Sequence, residues 1–231
     1  MKTNSARHFL LGLALAATVT LCRAQEPAAA NPFKPSPELR LISLEIDQAL
    51  RNKDWDKVNA KLAKAEELLP EGQREVLDLV RFKVLLGRKE YPAAYQLGRR
   101  LGDANPTNVV LLNEMAWNIV ADPGIEDRDL ALAETLSTRA NEAAKTKPVL
   151  TRLGVLDTLA RVRFLQGRKE EAVALEEKAL ALASEADKMA ATDRGTTARG
   201  EKTPALAPGA IASVIQKALD SYRKGELPKA P

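Results

Sequence analysis

The sequence predicts an all-α fold of about four helix pairs followed by one C-terminal helix. Three observations predict it. Ala and Leu are abundant while only 9 of 231 residues are Phe, Trp or Tyr, a balance that favours helix over strand. Apolar residues recur three and four apart along most of the chain, which is the period of an amphipathic helix. The pairs also repeat one another. Val58, Ala94, Ala133 and Ala172 lie near the start of the second helices, and Ala65, Leu101, Ala140 and Ala179 follow seven residues later. In the first helices Ile46, Phe82, Ala116 and Ala160 hold equivalent places, spaced 36, 34 and 44 residues apart. The length suits one domain or a short repeat array, and 45% hydrophobic residues is ordinary for a folded chain.

Residues 1–24 read as a secretory signal peptide. Lys2 and Arg7 make a basic start, and residues 9–21 form an uncharged, mostly apolar run of 13. That run is shorter than the roughly 20 residues a membrane span needs. Ala24 supplies the small residue before a cut between Ala24 and Gln25. Cys22 as a lipidated anchor is the rival reading, with the bulky Leu21 against it. No other stretch has the length and apolarity of a span. Cleavage removes Lys2, Arg7 and Arg23 and no acid, so 35 basic residues become 32 against 31 acidic, a net charge of +1. It also removes the single His, His8, and the single Cys, Cys22. The mature chain then lacks a Cys nucleophile, a disulfide, a His or Cys zinc site and a Ser-His-Asp triad.

Residues 25–37, rich in Ala and Pro, read as a linker. Ser36 is a good N-cap, and Pro37 suits the first helical position. Apolar spacing then predicts helices at about 38–52 with 54–69, 72–88 with 90–103, 108–121 with 129–146, and 149–166 with 169–190, a repeat domain over 38–190. The loop 122–128 (DPGIEDR) and the turn near Pro148 account for the longest spacing. A polar, Gly- and Pro-bearing linker follows at 191–209, and a last helix at 210–224. Its stripe Ile211, Val214, Ile215, Ala218, Leu219 and Tyr222 makes one apolar face. That helix reads either as a cap over the last pair or as a detachable partner helix.

Two helices per unit at a period near 34 is the mark of a helical solenoid. The pattern resembles the tetratricopeptide repeat, W-x₂-L-G-x₂-Y, then A-x₃-F, then P. The fourth pair matches best, with Leu156-x₂-Leu159-Ala160, Gly167 before the turn, Ala172 and Ala179. The first pair supplies Ala65 and Pro70, the second Ala94 and Pro106, and the third Leu112-x₂-Met115-Ala116, Ala133 and Ala140. Phe82 departs from a small-residue slot and Gly98 from a bulky one. The resemblance implies a right-handed α-solenoid with the C-terminal helix as cap. It further implies that the first helices line a concave face that binds a protein or peptide. Arg40, Asp47, Lys83, Asn113, Trp117, Asp157, Arg161 and Phe164 are the candidate contacts, with Trp117 and Phe164 as aromatic anchors or as plain core residues. Places where some family members clamp a peptide carboxylate hold Ser43, Leu79, Asn113 and Asp157 here, which disfavours such a clamp. Residues 112–180 also resemble helical tails beside thioredoxin-like domains in exported bacterial proteins. That likeness implies, as the alternative, an accessory role in trans with an envelope redox protein.

The expectation is therefore an exported interaction scaffold, periplasmic or secreted, with no catalytic residue, no cofactor and no metal site. Asp122, Glu126, Asp127 and Asp129 crowd one loop, but their spacing fits no EF-hand. They read instead as a helix N-cap and its favourable acids. The near-neutral mature chain and its few aromatics also disfavour nucleic-acid binding. Self-association stays open.

Overall fold

The computed structural model describes residues 35–192 and 209–228. The expected signal peptide with His8 and Cys22, most of the 25–37 linker, and nearly all of the 191–209 stretch lie outside the described residues. Among the described residues there are nine α-helices, one 3-10 segment and no strand. The helices are α1 (Pro37–Arg51), α2 (Trp55–Leu68), α3 (Asp78–Gly87), α4 (Tyr91–Ala104), α5 (Val109–Ala121), α6 (Leu130–Ala143), α7 (Val149–Leu165), α8 (Lys169–Thr192) and α9 (Ala210–Lys224). The chain is all-α.

Local chemistry sets the helix starts. Ser36 accepts the Leu39 N–H at 3.1 Å with Pro37 in the first turn. Asp54, Asn108 and Asp129 do the same for Lys57, Leu111 and Leu132 at 3.2, 3.2 and 2.8 Å. Each side-chain oxygen satisfies an amide that has no partner inside its own helix.

The helix ends carry a repeated backbone motif. After α1, Lys53 N–H bonds Leu50 O and Asp54 N–H bonds Ala49 O, at 3.1 and 2.9 Å. After α3, Lys89 and Glu90 bond Leu86 and Leu85 in the same way, and after α7, Gly167 and Arg168 bond Phe164 and Arg163. This is the Schellman turn, which needs a left-handed residue at its centre. Gly167 supplies that conformation without strain, whereas Lys53 and Lys89 adopt it at φ 54° and 62°. The first, second and fourth pairs thus turn alike. The third is opened by the loop after Ala121.

The helix expected at 72–88 is corrected. Glu71–Leu77 forms a 3-10 segment, and α3 begins only at Asp78. Leu77, at the cap position, offers no side-chain acceptor. An uncapped start with Pro70 and Gly72 upstream does not hold a regular α-turn.

The described residues form two compact units, 35–111 with 122–127, and 112–121 with 128–192 and 209–228. In the first, α1 packs on α2 and α3 on α4. Its core joins Leu39, Ile42, Ile46 and Ala49 of α1 to Val58, Leu62 and Ala65 of α2 and Val80 and Val84 of α3. Gly87 lets the Trp55 indole lie where a Cβ would stand. In the second, α6 packs on α7, α7 on α8 and α8 on α9. All twelve residues of the repeat register, from Ile46 to Ala179, are buried. Among the described residues no helix is long and apolar enough to cross a membrane.

Candidate partner-binding surface

The eight candidate contacts fall into two groups, one in each unit. In the first unit Arg40 is exposed on α1, its Nε donating to Pro35 O at 3.1 Å. One face further along, Asp47 is half-buried. Burial pushes its carboxyl up, and Arg51 with Lys83 of α3 opposes that rise. Lys83 thus lies near enough to Asp47 for its charge to be felt.

The DPGIEDR loop is tied down by hydrogen bonds and ion pairs. Asp122 accepts the Gly124 N–H at 2.8 Å and faces Lys53, and Glu126 pairs with Lys89. Tyr91 and Tyr95 stack at 6.1 Å and hold the loop backbone. Glu126 N–H donates to the Tyr91 hydroxyl, and the Tyr95 hydroxyl donates to Asp127 O. Asp129 caps α6. Among the described residues no three metal-competent side chains come together.

The second unit gathers the remaining five candidates. Asn113 and Trp117 lie one turn apart on α5. Asp157, Arg161 and Phe164 lie at i, i+4 and i+7 on α7, hence on one face. Arg161 is the centre. The residue is only 5% exposed, and its guanidinium lies 5.6 Å from the centre of the Trp117 ring, within cation–π range. Its Nε donates to Val120 O at the end of α5 (2.9 Å), and its Nη1 donates to Pro228 O beyond α9 (2.7 Å). Burial lowers its pKa, with Tyr222 and Asp157 opposing that fall and Arg128 adding to it.

The chain's own C-terminus covers this surface. Ile215, Leu219 and Tyr222 of α9 are buried, with Ile211 and Ala218 partly so. Val214, expected in the apolar stripe, is instead 39% exposed, because its offset from Ile215 and Leu219 carries it around the helix. Phe164 is half-buried and tilts against the Tyr222 ring at 4.9 Å between centroids. Ala160 and Ala172 pack with the same ring. Small side chains there let α9 come close.

Two groups of this surface escape the concave-face reasoning. Glu176 of α8 and Tyr222 are both 0% exposed. Both Glu176 carboxyl oxygens and the Tyr222 hydroxyl are buried with no hydrogen-bond partner among the described residues. Asn113 Oδ1 is likewise unmatched. Burial, and then the charge of Asp157, pushes the Glu176 carboxyl up to about 9. Burial also raises Tyr222, with Asp157 and Glu176 adding to it and Arg161 opposing. A signal for Glu176 was present in the sequence. It stands between Ala172 and Ala179, on the stripe that buries Ala172, Ala179 and Ala183.

A separate polar knot fixes the end of α7. Glu134 of α6 takes Gln166 at 2.7 Å, Arg168 at 3.0 Å and also Arg163. The Gln166 bond first, then Arg163, holds its carboxyl below the usual range.

A scan against family models and searches of curated proteins and of solved structures each returned no match.

Proposed function

We infer that the chain is a protein-interaction scaffold without catalysis of its own, exported to the bacterial envelope as a periplasmic or secreted protein. In this reading the helix pairs stack as a right-handed, tetratricopeptide-like solenoid. The first helices then offer Arg40, Asp47 and Lys83 in one unit and Asn113, Trp117, Asp157, Arg161 and Phe164 in the other to a protein or peptide. One observation carries the reading. Arg161, seated against Trp117, already holds a peptide carbonyl, that of Pro228, beside an amphipathic helix. A buried Arg with an aromatic neighbour is the composition of an interface anchor. The repeated Schellman turns and the buried repeat register support the stacking.

The test is capture from envelope extracts, with the mature chain as bait and an Arg40→Glu, Lys83→Glu double variant beside it. Both substitutions alter charge on the first-unit face and leave its apolar core intact. The expected result is a reproducible partner that the variant recovers at least tenfold less well. A thioredoxin-like protein as that partner would make the chain an accessory of thiol–disulfide chemistry. Identical recovery by both baits would overturn the assignment of that face.

A further inference from the structure

The surface that α9 covers is built unlike a plain helix-packing core. Buried where α9 packs are the Glu176 carboxyl, the Arg161 guanidinium and the hydroxyl of Tyr222 itself. Of the three, only the guanidinium is hydrogen-bonded among the described residues, and one of its acceptors is the tail after α9. A helix that served only to cover apolar surface would need none of these. An ionised carboxylate sealed here with neither oxygen hydrogen-bonded would be expensive, so the closed state holds Glu176 neutral.

We propose that the face of α7 and α8 beneath α9 is an occupied helix-binding site, and that α9 is its built-in, proton-gated occupant. Glu176 is protonated while α9 is seated and ionises when α9 leaves and water reaches it.

The charges around Glu176 set the direction. From α7, Asp157 presents a second acid, whose repulsion adds to burial. Arg161, also on α7, is engaged by two carbonyls and acts on the Tyr222 hydroxyl of α9, which burial keeps protonated. Among the described residues the charge that acts on Glu176 is that of Asp157, an acid and not a cation.

The sign rests on proton counting. Seated, the carboxyl titrates near 9; released, it titrates near the ordinary value of about 4.3. The released state therefore binds fewer protons between those limits. Seating is strongest below about pH 4.3 and weakens as pH rises toward 9, by up to about tenfold per pH unit. Where the surface also binds a partner, as proposed above, release uncovers Phe164 and frees Arg161 from the tail. That consequence rests on the scaffold reading, whereas the gating itself does not.

The experiment is amide hydrogen exchange on the whole chain from pH 5 to 9, expressed as protection relative to the intrinsic rate. The expected result is protection across 210–224 that falls by up to about tenfold per pH unit, while α3 keeps its protection. Glu176→Gln should make the α9 profile flat. Asp157→Asn should let the fall level off at lower pH, since Glu176 loses its acidic neighbour. It serves as the second variant if circular dichroism shows that Glu176→Gln does not fold. The proposal is overturned by α9 protection that is flat in the wild type. It is overturned too if α3 and α9 lose protection together, or if the slope persists in Glu176→Gln. No partner enters the experiment, so its failure would leave the scaffold reading standing.

Discussion

Replacing Arg161 with lysine keeps the charge and removes the fork. The guanidinium donates in two directions at once, to Val120 O on α5 and to Pro228 O after α9. An ammonium on a flexible stem is a single donating point, and from the same place on α7 it reaches one of those carbonyls. A hydrogen bond from a charged group contributes about 1.5–3 kcal/mol, and a buried carbonyl left without its partner costs about 1–3 kcal/mol. Weaker stacking on Trp117 adds about 0.5 kcal/mol or more. These contributions share one side chain and overlap, so the expected loss is about 2–4 kcal/mol rather than their sum. Urea unfolding followed by circular dichroism reads the total. Fluorescence in a Trp55→Phe background isolates Trp117 and reads the platform itself. Arg161→Met, which drops both bonds and the charge, should lose at least as much. A loss below about 0.5 kcal/mol for lysine, the range of ordinary surface changes, would refute the claim that the fork joins α5, α7 and the tail.

Three further outcomes are expected from particular contacts. Leu219→Ala opens a hole under α9, where the side chain is 1% exposed. It should weaken the seating of that helix by about 2–5 kcal/mol, read as lost hydrogen-exchange protection over 210–224; unchanged protection would remove α9 from the core. Gly87→Ala places a methyl against the Trp55 indole and should cost about 1–3 kcal/mol by overpacking, measured as a lower thermal midpoint. Lys53→Gly relieves a left-handed lysine at φ 54° and should stabilise by up to about 1 kcal/mol, since its 3.5 Å ion pair with Asp122 is exposed and worth little. A destabilised Lys53→Gly protein would show that the ion pair outweighs the strain.

Spacing made much of the fold legible. The register from Ile46 through Ala179 points to buried positions because packing leaves a period in the sequence. The caps at Ser36 and Asp129 are legible for a related reason, since short oxygen-bearing side chains before an apolar run have a local job. The start of α3 is not, because 3-10 and α-turns draw on similar residues and differ in whether their hydrogen bonds span three residues or four. Val214 joins the apolar stripe by its spacing from Ile211 and Ala218. Its exposure shows that a residue at the angular edge of a stripe can still face solvent. The candidate surface is half legible. Trp117 and Arg161 stand out as side chains on first helices, and the half-buried Trp117 ring lies against the buried Arg161 guanidinium. Glu176 is hidden among the many charged residues of helices whose polar faces meet solvent. Only its place in an alanine stripe separates it from Glu177, its exposed neighbour.

The covering helix need not be either a cap or a ligand. The amphipathic α7 and α8 leave an apolar face that must be covered, and Ile215 and Leu219 suffice for that. Covering apolar surface is insensitive to pH, so those residues alone would give a permanent lid. Glu176 adds a contribution of opposite sign that grows as protons become scarce, and Tyr222 is the residue of α9 whose burial that contribution opposes. Apolar contact thus sets how tightly α9 is held, while the carboxyl sets when it is held. The balance lies with two side chains that can be altered separately: Leu219→Ala should lower α9 protection equally at every pH, and Glu176→Gln should remove the slope and leave the acid-side level in place. If Leu219→Ala instead changed the slope, the two contributions would not be separable, and the division of labour within α9 would be wrong.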